Sequence, residues 1–234
     1  MRIGYGTIQG AAHRNLDYNN QDAAFVFESG NVLIGVIADG CGSGTNSEVG
    51  AQLAVKRITK IIFEKIESKI DWKNNLKPEM QFYAKTLAEL HGSNIAEFVK
   101  DYLLFTLVGF VKIEAQLTLF SCGDGVIVID DDILIIDQDN RPKYLNNELM
   151  NAEGADFEFQ DFEYSGQNIL IGSDGVEDII KGIDKKEITE YYEFNDFISD
   201  EANYINPIQI SKFLQKYSKS GILKDDCTLI MIKE

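Results

Sequence analysis

Histidine is nearly absent from this 234-residue chain, at two copies, and proline and cysteine are scarce at three each. Each shortage excludes something. His13 and His91 alone leave almost no room for a Ser-His-Asp or Cys-His catalytic arrangement. Cys41, Cys122 and Cys227 stand far apart with no C-x-x-C pair, so neither a disulfide framework nor a zinc site is indicated. No proline- or serine-rich linker divides the chain, and 44% hydrophobic content suffices for one sizeable core, so one domain over residues 1–234 is expected. No run of about 18 apolar residues occurs, and residues 1–30 lack a charged segment followed by an apolar one; the expectation is a soluble, cytoplasmic protein. The phosphate-cradling GxxxxGK[ST] loop and the GxSxG elbow are also missing.

Basic residues are few as well. Lys and Arg number 22 against 38 Asp and Glu, for a formal net charge of −16. Such a field repels nucleic acid phosphates and anionic lipid, so neither nucleic acid nor membrane is an expected partner, whereas cations suit it.

The pattern along the chain is one of strand blocks separated by helices. Strands are predicted at Ile3–Gln9, Ala23–Glu28 and Asn31–Ala38, the last two joined by a Ser29-Gly30 turn. A long helix follows from Asn46 or Ser47, with Val49, Leu53, Val55, Ile58, Ile62 and Ile66 at helical spacing. A second helix is predicted from about Pro78, a residue suited to a first helical turn, through Leu87, Leu90, Ile95 and Phe98. From Tyr102 to Asp137 the pattern is an antiparallel meander with tight turns at Gly123-Asp124-Gly125 and Asp130–Asp132. Residues 138–166 read as polar and irregular, Asn168–Gly172 as a buried strand, Val176–Ile180 as a short helix, Pro207–Ser218 as a final helix and Thr228–Lys233 as a final strand. Strands in blocks argue for an α+β layered fold rather than a doubly wound one.

Two of the strands end alike. Val36-Ile37-Ala38-Asp39-Gly40 and Leu170-Ile171-Gly172-Ser173-Asp174-Gly175 each deliver Asp-Gly at the tip of an apolar run. Strands packed side by side bring such tips together, and a cluster of carboxylates suits Mg²⁺ or Mn²⁺, which prefer oxygen ligands. Taken alone, Asp39-Gly40 is also compatible with a plain turn, Asp174 with a helix cap, Asp124 with a hairpin turn and Asp225 with a surface charge.

In order, the segments Asn20-Gln21-Asp22, Ala38-Asp39-Gly40-Cys41-Gly42-Ser43-Gly44, Ser121-Cys122-Gly123-Asp124, Ile171-Gly172-Ser173-Asp174-Gly175 and Asp225-Asp226-Cys227-Thr228 resemble the motifs of the type 2C metal-dependent protein phosphatases. The opening Gly10-Ala11-Ala12-His13-Arg14 is most similar to a compact bacterial branch. The resemblance implies a four-layer αββα sandwich and hydrolysis of phosphoserine and phosphothreonine in proteins, opposing a bacterial Ser/Thr kinase. It implies two Mn²⁺ or Mg²⁺ ions, with Asp39 bridging them, the Gly40 carbonyl on one, and Asp174 and Asp225 on the other. Asp124 would share a third, weaker ion with Asp174, and Asp22 would orient bound water from behind.

The chain departs from that pattern at several places. Gln21 stands where many members carry a metal-binding Glu, and Cys41 where animal members carry a His. Asp17 occupies the usual place of the phosphate-binding Arg, which leaves Arg14 or His13 for phosphate. Gly125-Val126 replaces the Ser-Arg that often follows the third Asp, and segment 138–166 is short for the family's flap. Gln21 and the missing Arg therefore keep a competing class open, a pseudophosphatase that binds phosphoproteins or a partner without turnover. The cysteines read as small buried filler beside the motif aspartates, and a monomer is the default.

Overall fold

Ten strands form two five-stranded sheets in the computed structural model, which describes residues 1–138, 142–184, 194–205 and 207–234. The first sheet holds, in order across it, Arg2–Ile8 (β1), Cys227–Lys233 (β10), Ile169–Gly172 (β9), Gly125–Ile129 (β6) and Asp132–Ile136 (β7). The second holds Asp22–Ser29 (β2), Val32–Gly40 (β3), Phe105–Ile113 (β4), Gln116–Cys122 (β5) and Glu158–Glu163 (β8). Every pairing among them is antiparallel.

The strands carry near-continuous apolar runs because both faces of each sheet are covered. On the outer face of the second sheet, Ile34, Val36, Ala38 and Leu107 pack on Ala51, Val55, Ile58 and Ile62 of Ser47–Glu67 (α2), with Trp72–His91 (α3) and Ile95–Tyr102 (α4) completing that layer. Between the sheets, Ile37, Val108, Phe110 and Leu119 meet Ile171, Ile230 and Ile232. On the outer face of the first sheet, Val128, Leu170, Leu229 and Met231 pack on Ile179 of Gly175–Asp184 (α5) and on Ile210, Leu214 and Tyr217 of Pro207–Ser220 (α8). Helices, sheet, sheet, helices is the αββα sandwich. Each fully buried side chain of this kind contributes about 1.5–3 kcal/mol, so a one-residue slip in any central strand would exchange two apolar layers and is strongly disfavoured.

Four expectations need correction. Helix α3 begins at Trp72, not at Pro78: Asp71 caps it by accepting the Lys73 N–H at 3.0 Å, and Pro78 sits inside the helix. The helix also does not run on through Phe98. Gly92, with φ +78°, ends α3 in a left-handed turn, and Asn94 caps α4 by accepting from the Ala96 N–H. The meander is split between the sheets, since β5 pairs with β4 and β8 whereas β6 pairs with β7 and β9; Gly123-Asp124 is a crossover, not a hairpin. Finally, segment 138–166, of which 139–141 lie outside the described residues, is not all irregular. It contains a single helical turn at Asn147–Met150 and the edge strand β8. Short helices at Ala11–Asn15 (α1), Phe194–Ser199 (α6) and Ala202–Ile205 (α7) complete the described elements. Among the described residues no helix is long and apolar enough to cross a membrane.

Candidate active site

Strand ends from both sheets meet at one rim. Asp22 at the start of β2 pairs directly with Asp39 near the end of β3, and the Gly40 N–H donates to the Gln21 carbonyl at 3.1 Å, which ties Gln21 to the same tip. In the facing sheet, Asp174 follows β9 and Asp225 precedes its antiparallel neighbour β10, so both stand on that sheet's rim. Asp124 lies at the crossover between the sheets. A cleft of about 140 Å³ is lined by His13, Gln21, Asp39, Gly40, Asp124, Asp174 and Asp225, together with Cys41, Gly42, Thr106, Pro142 and Tyr144. Asp22 is buried behind Asp39. Arg14 is exposed and does not line the cleft, and Asp17 is exposed with a left-handed backbone, φ 55°.

Glycine at two points lets the chain close around the rim. A side chain on Gly10 would place its Cβ 2.2 Å from the Asp225 carbonyl carbon, and one on Gly175 would stand 2.1 Å from the Asp226 oxygen, so loop 224–226 is held between two positions that admit no side chain. Asp226, 1% exposed, then fastens the loop. Its Oδ1 accepts from the Gly10 N–H at 2.7 Å, and its Oδ2 accepts from the Gln21 N–H at 2.6 Å and lies 2.8 Å from His13 Nδ1. Behind the cleft, the Ser173 hydroxyl donates to Asp22 at 2.7 Å and accepts from the Thr228 N–H at 3.0 Å. Asp124 accepts from the Gln138 N–H at 2.9 Å.

The carboxylates are crowded, and no Lys or Arg lines the cleft among the described residues. Burial, then the charges of Asp22, Asp174 and Asp225, push Asp39 well above the usual carboxylate range. Burial raises Asp22 to about 7, against the pull of its Ser173 hydrogen bond and with a further push from Asp226. Asp174 is likewise raised to about 7, by burial and then by Asp225, Asp22 and Asp124. A divalent cation bound among these carboxylates would favour their ionised forms. Three buried acceptors also lack hydrogen-bond partners: Gln21 Oε1, Asp22 Oδ1 and Asp174 Oδ1. An unpaired buried acceptor costs about 1–3 kcal/mol. Two of these three belong to residues lining the cleft, so the donor set fits a hard, oxygen-binding cation. A neighbouring cleft of about 290 Å³ shares Asp124, Asp174 and Asp225 and adds Asp137, Glu177 and Asp178 with Lys181 and Lys224.

Cys122 and Cys227 are buried filler, as expected, whereas Cys41 is half-buried and faces the cleft beside Tyr144, whose hydroxyl is pushed up by burial. The structure adds three residues that sequence reasoning missed in these roles. Asp226 and Ser173 sit inside the quoted motifs, where adjacency to a candidate residue is a usable signal; Tyr144 has no such signal.

A two-sheet sandwich whose rim cleft is acidic, with no Lys or Arg lining it among the described residues, is an arrangement suited to cation-assisted chemistry on an oxyanion. Comparison places the chain more narrowly. The model of the family described as Protein phosphatase 2C matches residues 9–217, and the chain belongs to that family of serine/threonine phosphatases. It is similar in fold to the S. agalactiae serine/threonine phosphatase (TM-score 0.66, 15% identity, covering 98% of this chain and 97% of that one). It is also similar to PppA, a regulatory component of the type VI secretion system in Pseudomonas aeruginosa (TM-score 0.63, 16% identity, 100% and 97% covered). RsbX in complex with magnesium is a further neighbour (TM-score 0.55, 16% identity, 97% and 92% covered). No curated protein matches the chain in sequence.

Proposed function

We propose that this chain, acting as one domain over residues 1–234, hydrolyses phosphoserine and phosphothreonine in proteins with two Mn²⁺ or Mg²⁺ ions, and that it opposes a Ser/Thr kinase in the cytoplasm as a monomer. The observation that carries the reading is the convergence of Asp39, Asp174 and Asp225 on one cleft in which buried oxygens have no partner. In this reading Asp39 would serve both ions, the Gly40 carbonyl and Gln21 would help hold one, and Asp174 and Asp225 would hold the other. Asp124 joins Asp174 at a third, weaker site. When bound, the ions supply a water acidic enough to react near neutral pH and neutralise charge on the phosphoryl oxygens.

The chain's own part is placement. Asp22 holds Asp39 across the β2–β3 pair, Ser173 holds Asp22, and the Gly10–Asp226–Gly175 packing holds Asp225 against the cleft. Of the two residues expected to meet phosphate, only His13 reaches the cleft. The test is hydrolysis of p-nitrophenyl phosphate and a phosphothreonine peptide by wild type and Asp39→Asn, each with Mn²⁺ or with EDTA. Turnover is expected only in wild type with Mn²⁺; equal rates in the variant would overturn the assignment.

A further inference from the structure

One part of the cleft lining is built differently. Gln21 is 5% exposed, lines the cleft, and its Oε1 has no hydrogen-bond partner. His13 lines the same wall with its side chain 12% exposed. One carboxylate oxygen fixes both residues: Asp226 Oδ2 accepts the Gln21 N–H and faces His13 Nδ1. A carboxylate only accepts, so Nδ1 carries the hydrogen and the lone pair resides on Nε2. That Nε2 and Gln21 Oε1 both lie beside Gly42 in the cleft lining, 4.0 and 3.7 Å from the point where a Gly42 side chain would begin.

An imidazole whose other N–H is held by a buried carboxylate is the usual form of a metal-ligating histidine, because the carboxylate sets both the ring's orientation and its basicity. On its Nδ1 side the ring lies 2.8 Å from Asp226 Oδ2 and 3.8 Å from Asp225 Oδ1, which sets it beside a carboxylate that lines the cleft. Asp226 itself is already committed to Gly10, Gln21 and His13, which makes it the support and not the ligand. Building on the metal-dependent reading above, we infer that His13 Nε2 is a metal ligand of this site, paired with Gln21 Oε1. A neutral nitrogen and a neutral amide oxygen on this wall favour ions that accept imidazole, such as Mn²⁺, Co²⁺ or Zn²⁺, over Mg²⁺.

The scarcity of histidine makes the test direct, since the only other one, His91, ends α3 and hydrogen-bonds Ser93. The full chain loaded with Mn²⁺ is studied by pulsed electron paramagnetic resonance for a directly bound ¹⁴N. Wild type and His91→Gln are expected to show the imidazole nitrogen and His13→Gln to lose it. In calorimetric titrations His13→Gln is expected to weaken Mn²⁺ at one site by at least about 10-fold, and Asp226→Asn by about 10–100-fold, with Mg²⁺ affected less in both. Wild type that binds Mn²⁺ through oxygen alone overturns the role of His13 and leaves the phosphatase reading intact. Wild type that binds no Mn²⁺ overturns both. The wild-type spectrum needs no variant, so a misfolded variant does not blur the outcome.

Discussion

The two walls of the cleft differ in charge and in how they are held. One carries Asp39, Asp124, Asp174 and Asp225, carboxyl groups at strand ends, where burial and then mutual repulsion push Asp39 and Asp174 above the usual carboxylate range. The other carries His13 and Gln21, both fastened by the single buried carboxylate of Asp226. In the proposed reading the first wall would attract any divalent cation and the second would govern which cation is kept. Substitutions on the two walls should then fail in different ways.

The largest effect belongs to the acidic wall. Asp39→Asn removes the carboxylate proposed to serve both ions and is expected to lower kcat/KM at least ~10³-fold, read on a phosphothreonine peptide at saturating Mn²⁺. Next is Asp226→Ala, which strands the Gly10 and Gln21 amides and His13 Nδ1 without their acceptor. A stability loss of about 2–4 kcal/mol is expected in urea melts, with Asp226→Asn milder because it keeps one acceptor.

The acidic wall also makes the metal-free protein sensitive to pH. Asp22 and Asp174 are raised from the usual 3.8 to about 7. Between those values the folded chain holds protons that the unfolded chain has released, so stability falls as pH rises through that window. Bound cations take the place of those protons. The gain in Tm on adding Mn²⁺ is therefore expected to be larger at pH 8 than at pH 5.5 by thermal scanning; an equal gain at both would remove the carboxylates from the account.

On the neutral wall, Gln21→Glu restores a carboxylate and is expected to tighten Mg²⁺ by roughly 10-fold, about 1.4 kcal/mol, in calorimetry. The smallest effect is Arg14→Ala. The residue is exposed and outside the cleft, so KM for phosphopeptide should not change.

Much of the fold is legible in the sequence because its central strands are covered on both faces, and runs such as Val32–Ala38 and Ile169–Gly172 can hardly be anything else. The edge strand β8 is not legible, since an edge is solvated and Glu158, Asp161 and Glu163 then read as loop. Pro78 points to a later start for α3 because a proline often opens a helix, whereas in the structure the helix is capped at Asp71. Within the site, Asp39 and Asp174 declare themselves by strand, Asp and Gly in sequence. Asp226 is marked only by adjacency to Asp225, because its role depends on meeting Gly10 and Gln21 more than 200 residues earlier in the chain. The pairing of His13 with Gln21 is hidden for the same reason: only the folded loop shows that one carboxylate holds both.

The central claim is that this rim is built for cations that make the chain a phosphatase. It is tested most directly by stripping the protein with EDTA and following phosphate release from a phosphothreonine peptide while Mn²⁺ is added back. The account predicts no release at the start and saturable recovery as about two ions bind per chain. Release that persists after stripping, or that never returns with Mn²⁺, would contradict it.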